Sequence, residues 1–196
     1  MKNKSDQSSA EKSGWILTAN GNKVHPLDAC EVEIHLEDIA HALAFQCRWN
    51  GHTAWYYSVA QHCVLASQNF EVDNLDVPPT EIARQVLLHD ATEAYLSDVP
   101  KPVKLQMPEF NKHEDRLMEV IMRRFGCRYP LEEPVHHIDR LMLHWEARDL
   151  FFPERCTSLF GEAAKEYIRY FDRIEPWGPD QAKWEFLKRA EQLGLS

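Results

Sequence analysis

Apolar residues first fall into a helical rhythm at Ile39, Ala40, Leu43, Ala44 and Cys47, spaced by threes and fours. They predict a helix from Leu36 that ends near Asn50-Gly51. The same period returns in Tyr56, Val59, Cys63 and Ala66 and predicts a second helix over about 53–69, closed by the breaker segment DNLDVPPT. Thr80 followed by Glu81, just after Pro78-Pro79, reads as the capped start of a third helix, with Ile82, Val86 and Leu87 on its inner side and its end near Ser97-Asp98. Further helices are expected at about 108–125, 132–152, 157–172 and 179–193. Ahead of all of them, WILTANGNKVHPL carries two short apolar stretches around Asn20-Gly21, residues that tolerate positive φ, and so predicts a small hairpin. Residues 1–13 are polar with almost nothing to bury and are expected to form a flexible tail. The fold class that follows is all-α: a single helical bundle of about six or seven helices in one domain over 14–196, with a small N-terminal hairpin.

Composition narrows the setting. A chain of 196 residues that is 44% hydrophobic and 27% charged is an ordinary globular protein, long enough to bury its own core. No apolar run approaches the roughly 20 residues of a membrane helix, and the first residues lack a signal peptide's apolar stretch, so a cytoplasmic protein is expected. The five cysteines, Cys30, Cys47, Cys63, Cys127 and Cys156, form no CxxC pair and are expected as free thiols. A net charge of -9 argues against nonspecific nucleic-acid binding, which runs on excess Lys and Arg. A small anionic partner remains compatible, provided that a metal and one or two basic side chains make a local positive site. A homo-oligomer is expected.

The segment VLLHDATEAYLSD (Val86 to Asp98) places His89, Asp90 and Glu93 on or just after an apolar helix, where the helical repeat gathers them toward one side. Ionisable groups there are costly unless paired, and a buried divalent cation explains them. Imidazole beside carboxylate suits Mn, Co, Fe, Ni or Zn and, less well, Mg. The remaining ligands must come from other helices. His62 lies beside the apolar stripe of the preceding one, and Asp139 sits on the later one between Ile138 and Met142. A His-Asp pair by itself is more often a satisfied, partly buried polar pair, and only the whole constellation reverses that reading.

The order His62, His89-Asp90, Asp139 resembles the H…HD…D pattern of HD-domain phosphohydrolases. HDATEAYLSDVPKPVK (His89 to Lys104) resembles the equivalent segment of bacterial HD-domain 5'-deoxynucleotidases. DIAHALAFQCRWNGHTAWYYSVAQH (Asp38 to His62) resembles small bacterial and phage HD proteins that include a dATP triphosphohydrolase. The resemblance spans roughly Trp15 to Leu150. It implies a single HD domain in which one divalent cation, held by His62, His89, Asp90 and Asp139, removes phosphate from a deoxynucleoside monophosphate or triphosphate from a dNTP.

The same resemblance puts chemistry on Glu93 and Asp98, of which Asp98 also reads as a turn residue before Pro100. It puts substrate phosphate on Arg48, whose planar fork suits bidentate contact. Trp49 falls where the deoxynucleotidases carry a tryptophan beside the sugar, although core at a helix end is the favoured reading of this residue. His52 in RWNGH is a candidate donor to phosphate or base, and Lys104 in PKPVK a candidate source of positive charge, whereas Lys101 reads as solvated. His136, His137 and His144 around Asp139, like His25, His35, His41 and His113, are left outside the site. Two other functions stay open: a non-catalytic nucleotide-binding sensor, against which the intact Glu93 and Asp98 count, and a cyclic- or signalling-nucleotide phosphodiesterase, from which the RWNGH and PxPVK segments lean away.

Overall fold

The computed structural model describes residues 14–72, 81–151 and 173–195. The expected tail, the DNLDVPPT segment with Thr80, the expected helix over 157–172 and Cys156 lie outside them.

The hairpin forms from β1 (Ile16–Leu17) and β2 (Lys23–Val24), antiparallel with Ile16 opposite Val24. Its loop is wider than a two-residue turn: Thr18 and Asn22 close it, the Thr18 N–H donating to the Asn22 carbonyl at 2.9 Å, and Gly21 supplies the positive φ of 84°. The two asparagine amides of this loop donate to the buried carboxylate of Asp38, at 2.6 Å from Asn20 and 2.7 Å from Asn22, which ties the hairpin to the first helix.

That helix, α1, runs Leu36–Phe45 and stops short of Asn50-Gly51. Its apolar rhythm continues through Cys47, but the backbone at Gln46 and Cys47 is extended and Cys47 pairs with Ser58 as an isolated bridge. Trp49 and Asn50 then take left-handed conformations (φ 57° and 52°), which a right-handed helix cannot include. The chain thus leaves the bundle at Gln46 and returns at Ser58, with the Arg48 N–H on the Tyr57 carbonyl (2.9 Å) and the Val59 N–H on the Gln46 carbonyl (3.1 Å). The second helix, α2 (Val59–Val72), accordingly starts later than residue 53, and Tyr56 belongs to the returning loop.

Helix α2 is the axis of the bundle. From Val59 to Ser67 every side chain is buried, so its neighbours α1, α3 (Glu81–Leu88), α7 (Glu133–Leu150) and α8 (Pro179–Gln192) enclose it on all sides. Its polar residues have partners: the Gln61 amide donates to the Glu175 carbonyl (2.7 Å) and accepts from the Trp177 N–H (2.9 Å), and the Ser67 hydroxyl accepts from Arg189 (3.0 Å).

The expected third helix is broken. Helix α3 (Glu81–Leu88) ends where the chain turns through His89 to Thr92, and two single turns follow, α4 (Glu93–Leu96) and α5 (Lys101–Lys104). The His89 ring takes the Val86 carbonyl at 2.7 Å, drawing on an acceptor that a continuing helix would use. The long amphipathic helices match their expected positions: α6 is Pro108–Arg124, α7 is Glu133–Leu150 and α8 is Pro179–Gln192. The architecture is a single all-α bundle with a small N-terminal hairpin, as the periodicity predicts. On α7, Ile138, Met142 and the fully buried Trp145 pack with Leu65 and Ala66 of α2 and Val86 of α3. Cys47, Cys63 and Cys127 are free thiols, and among the described residues no helix is long and apolar enough to cross a membrane.

Candidate metal centre

The first turn of α2 carries His62 into the middle of the bundle, where it is fully buried. Its Nδ1 lies 2.5 Å from Glu146 Oε1. A buried carboxylate held down to about 2 can only accept, so Nδ1 carries the proton and Nε2 is turned away from Glu146. His89, at the break after α3, is fixed the same way, because its Nδ1 meets a backbone carbonyl. The two Nε2 atoms face each other at 3.1 Å. Asp90 Oδ2 lies 3.3 Å from His89 Nε2 and 3.6 Å from His62 Nε2, and one ligand atom from each of the three residues falls within 4.8 Å of the other two. His62, His89 and Asp90 make a potential divalent-metal site.

The expected gathering of His89, Asp90 and Glu93 on one helical face is corrected here. Neighbours in a helix point about 100° apart, so His89 and Asp90 could not share a target on a continuous α3. They converge because the helix ends at Leu88 and both residues lie in the turn of residues 89–92 that follows it. Asp139, from the middle of α7, brings Oδ1 to 3.3 Å from His62 Nε2 and 3.7 Å from His89 Nε2, and its side chain is 42% exposed, so the cluster opens to the surface on that side.

Charge around this point is unbalanced. Asp90, Glu93, Asp98, Asp139 and Glu146 act on the centre against the cations of Arg48 and Lys104. The ionisable groups shift in response to one another. Burial alone would lower the His89 pKa, but the Asp90 charge raises it well above the ordinary histidine value. Burial would raise Asp139, yet its hydrogen bonds with His62 and His89 hold it well below the usual carboxylate range. Glu93 goes the other way, pushed well up by burial and by the charges of Asp90 and Asp98. Asp98 is raised too, by burial against the Arg48 charge and with that of Asp90. Two histidines with fixed tautomers, facing carboxylates in excess, fit a divalent cation in their donor chemistry and in their charge.

Periodicity missed Glu146, the most connected side chain of the centre. It is fully buried on α7 and accepts from Arg48 Nε (2.9 Å), Trp49 Nε1 (2.9 Å), Tyr57 OH (3.0 Å) and His62 Nδ1. A signal existed: it lies seven residues after Asp139, two turns along the same face of α7, between the apolar Trp145 and Ala147. Gln46 was missed as well. Its amide reaches Glu93 Oε2 at 3.3 Å, and in the swapped orientation it bridges the Glu93 carbonyl and the Asp98 N–H, so either way it braces Glu93.

Most of the remaining candidates lie around this cluster. Arg48 is inside it: besides Glu146, its guanidinium meets Asp90 Oδ2 at 3.2 Å and Asp139 Oδ1 at 3.3 Å. Trp49 is half-buried, its indole N–H on Glu146 and its ring edge-on to Phe151 at 5.0 Å. Lys104 Nζ pairs with Glu114 at 2.6 Å and stands 4.0 Å from Glu93 Oε1. Asp98 is partly buried just past the positive-φ turn at Ser97. His52 is the exception: its side chain is exposed, and among the described residues no hydrogen bond or ion pair ties it to the cluster. His136 and His137 are exposed on α7.

No family model matches the chain. Two curated proteins resemble it over nearly their whole length. The uncharacterized protein YfdR of Escherichia coli is 41% identical over 181 residues, covering 91% of this chain and 95% of that protein. An uncharacterized protein of Rhodobacter capsulatus is 36% identical over 192 residues, covering 93% of this chain and 96% of its own.

Proposed function

This chain belongs to the family of the Escherichia coli protein YfdR, and we propose that it is a metal-dependent phosphohydrolase of the HD type that acts on deoxynucleotides, as a dNTP triphosphohydrolase or a 5'-deoxynucleotidase. The observation that carries this reading is the convergence of His62, His89 and Asp90 ligand atoms within 4.8 Å, in the same chain order as the H…HD motif, with Asp139 Oδ1 3.3 Å from His62 Nε2. In this reading Asp139 is the fourth ligand and residues 14–196 form one catalytic domain.

A divalent cation held there supplies Lewis-acid activation of water and neutralises charge on the phosphoryl oxygens. The rest falls to the protein. Glu93, whose carboxyl is pushed well above the usual carboxylate range by burial and by its acidic neighbours, is the group that gives a proton to the leaving oxygen. Asp98, partly buried and close enough for its charge to act on Glu93, shares the acid–base work by orienting water. Lys104, the cation nearest Glu93, offsets phosphate charge at the mouth. Arg48 presents its terminal nitrogens on the Asp90 and Asp139 side, where a substrate phosphate approaching the cation would meet them. Trp49, held by its N–H on Glu146, offers a ring face for the sugar. His52 is the weakest of the proposed substrate contacts, since its side chain is exposed.

The test is a panel of deoxynucleoside monophosphates and triphosphates with Mn, Co, Mg and Zn, in which both phosphate and triphosphate are measured. Metal-dependent release that Asp90→Ala abolishes together with metal binding supports the proposal. Nucleotide binding without any product across the panel refutes it and leaves the sensor reading.

A further inference from the structure

The buried carboxylate of Glu146 has a place in no ligand set and touches no solvent, yet the donors of four side chains converge on it. Three of them, Arg48, Trp49 and Tyr57, come from the loop between α1 and α2, and the fourth is the His62 ring. A packing role alone would need no charge at this depth, since a buried ion is retained only at a desolvation cost. The His62 contact sets Glu146 apart. At 2.5 Å it is the shortest of the four, and it engages the ring nitrogen opposite the one that faces His89 and Asp90. Metal-bound histidines take such a partner on their second nitrogen, which fixes the tautomer and raises the basicity of the ligating one.

We infer that Glu146 is the positioning residue of the metal centre: by accepting a hydrogen bond from the His62 Nδ1–H it presents the Nε2 lone pair to the cation and strengthens it as a ligand. This inference rests on the metal reading above. The His89 Nδ1 meets a neutral backbone carbonyl, that of Val86 at 2.7 Å, where the His62 Nδ1 meets a carboxylate, so the two histidines are not equivalent and the basicity gain belongs to His62.

Zn2+ affinity, measured by competition with a chromophoric chelator, tests it without reference to activity. Glu146→Gln keeps the shape and removes the charge, and its Zn2+ dissociation constant is expected to rise about 10- to 100-fold. Tyr57→Phe deletes another hydrogen bond to the same carboxylate without touching His62, and is expected to stay within about threefold of the parent, the spread of indirect effects on a site that keeps its ligands. Equal losses in both variants would make Glu146 a structural group only, and a Glu146→Gln affinity equal to the parent's would overturn the inference outright. A parent that binds no Zn2+ sinks the metal reading itself, a distinct result. Should Glu146→Gln fail to fold, the imidazole 15N spectrum of the Zn2+-loaded parent decides the question: a protonated Nδ1 on His62 supports the inference, and a protonated Nε2 refutes it.

Discussion

Arg48→Met separates what the guanidinium does for the fold from what it does to the metal site. Methionine keeps much of the apolar stem and deletes a cation whose Nε lies 2.9 Å and 3.2 Å from the two Glu146 oxygens, and whose terminal nitrogens reach Asp90 and Asp139. The arginine side chain is only 14% exposed and Glu146 is fully buried, so little water can replace the lost charge. Removing one partner of a buried pair costs about 3–5 kcal/mol. Because His62, Trp49 and Tyr57 still donate to Glu146, the lower end of about 3 kcal/mol applies. With a urea slope of about 2 kcal/mol/M, the metal-free midpoint should fall by about 1.5 M, read by tryptophan fluorescence in the presence of a chelator. Metal affinity should not follow this loss. Asp90 and Asp139 are freed from a competing cation, so the variant should bind Mn2+ at least as tightly as the parent. At a hundredfold excess over the dissociation constant that binding returns about 2.7 kcal/mol. A midpoint that moves by less than about 0.5 M would refute the dependence of Glu146 on Arg48, given the same slope. A loss of Mn2+ affinity would show that the arginine builds the site and does not compete for it.

Glu93→Gln should retain Zn2+ while nucleotide hydrolysis drops about 10²-fold or more, and near-parental turnover would reduce Glu93 to a structural role. The same variant carries a pH signature. The folded pKa of Glu93 lies above its ordinary 4.5, so as pH rises past that value the unfolded chain ionises first and Glu93 subtracts stability until its raised folded pKa is passed. The variant should therefore gain stability over the parent from about pH 5 upward in urea titrations, and a gap that is flat with pH contradicts a raised Glu93. Glu146 runs oppositely: held down to about 2 from 4.5, it contributes stability that is complete above its ordinary value and lost as pH falls toward 2, so the stability deficit of Glu146→Gln should shrink below about pH 4.5. Asp139→Asn should weaken Zn2+ binding at least about tenfold if Asp139 is a ligand, and an unchanged affinity removes it from the set. Gln61→Ala leaves the Glu175 carbonyl and the Trp177 N–H without their side-chain partner, a cost of about 2 kcal/mol, and the Trp177 amide should exchange faster with deuterium; unchanged exchange would mean another group holds that strand of chain.

How much of this was legible in the sequence depended on how local the deciding interactions are. Helices α6, α7 and α8 could be placed to within a few residues because each shows a complete amphipathic stripe and opens on a proline in its first turn, information contained in one window. The candidate ligand types and their order, His62, His89-Asp90 and Asp139, were also visible, since ionisable residues among apolar neighbours need an explanation wherever the chain folds. The two places where helices were drawn too long, 46–58 and 89–92, are the places that make the site. There the backbone leaves helical geometry because distant groups hold it out. Arg48 joins residues 42, 91 and 98 positions away, and the His89 ring takes a carbonyl that the helix would otherwise use. Glu146 stayed hidden for the same reason, as its four partners lie 84 to 98 positions before it. Residue chemistry and helical period are properties of a short stretch of chain, so the sequence alone determined an all-α bundle and a set of candidate ligands. Which nitrogen of His62 faces the centre, and that a buried glutamate decides it, arise from three-dimensional convergence, and only the tertiary structure could decide them.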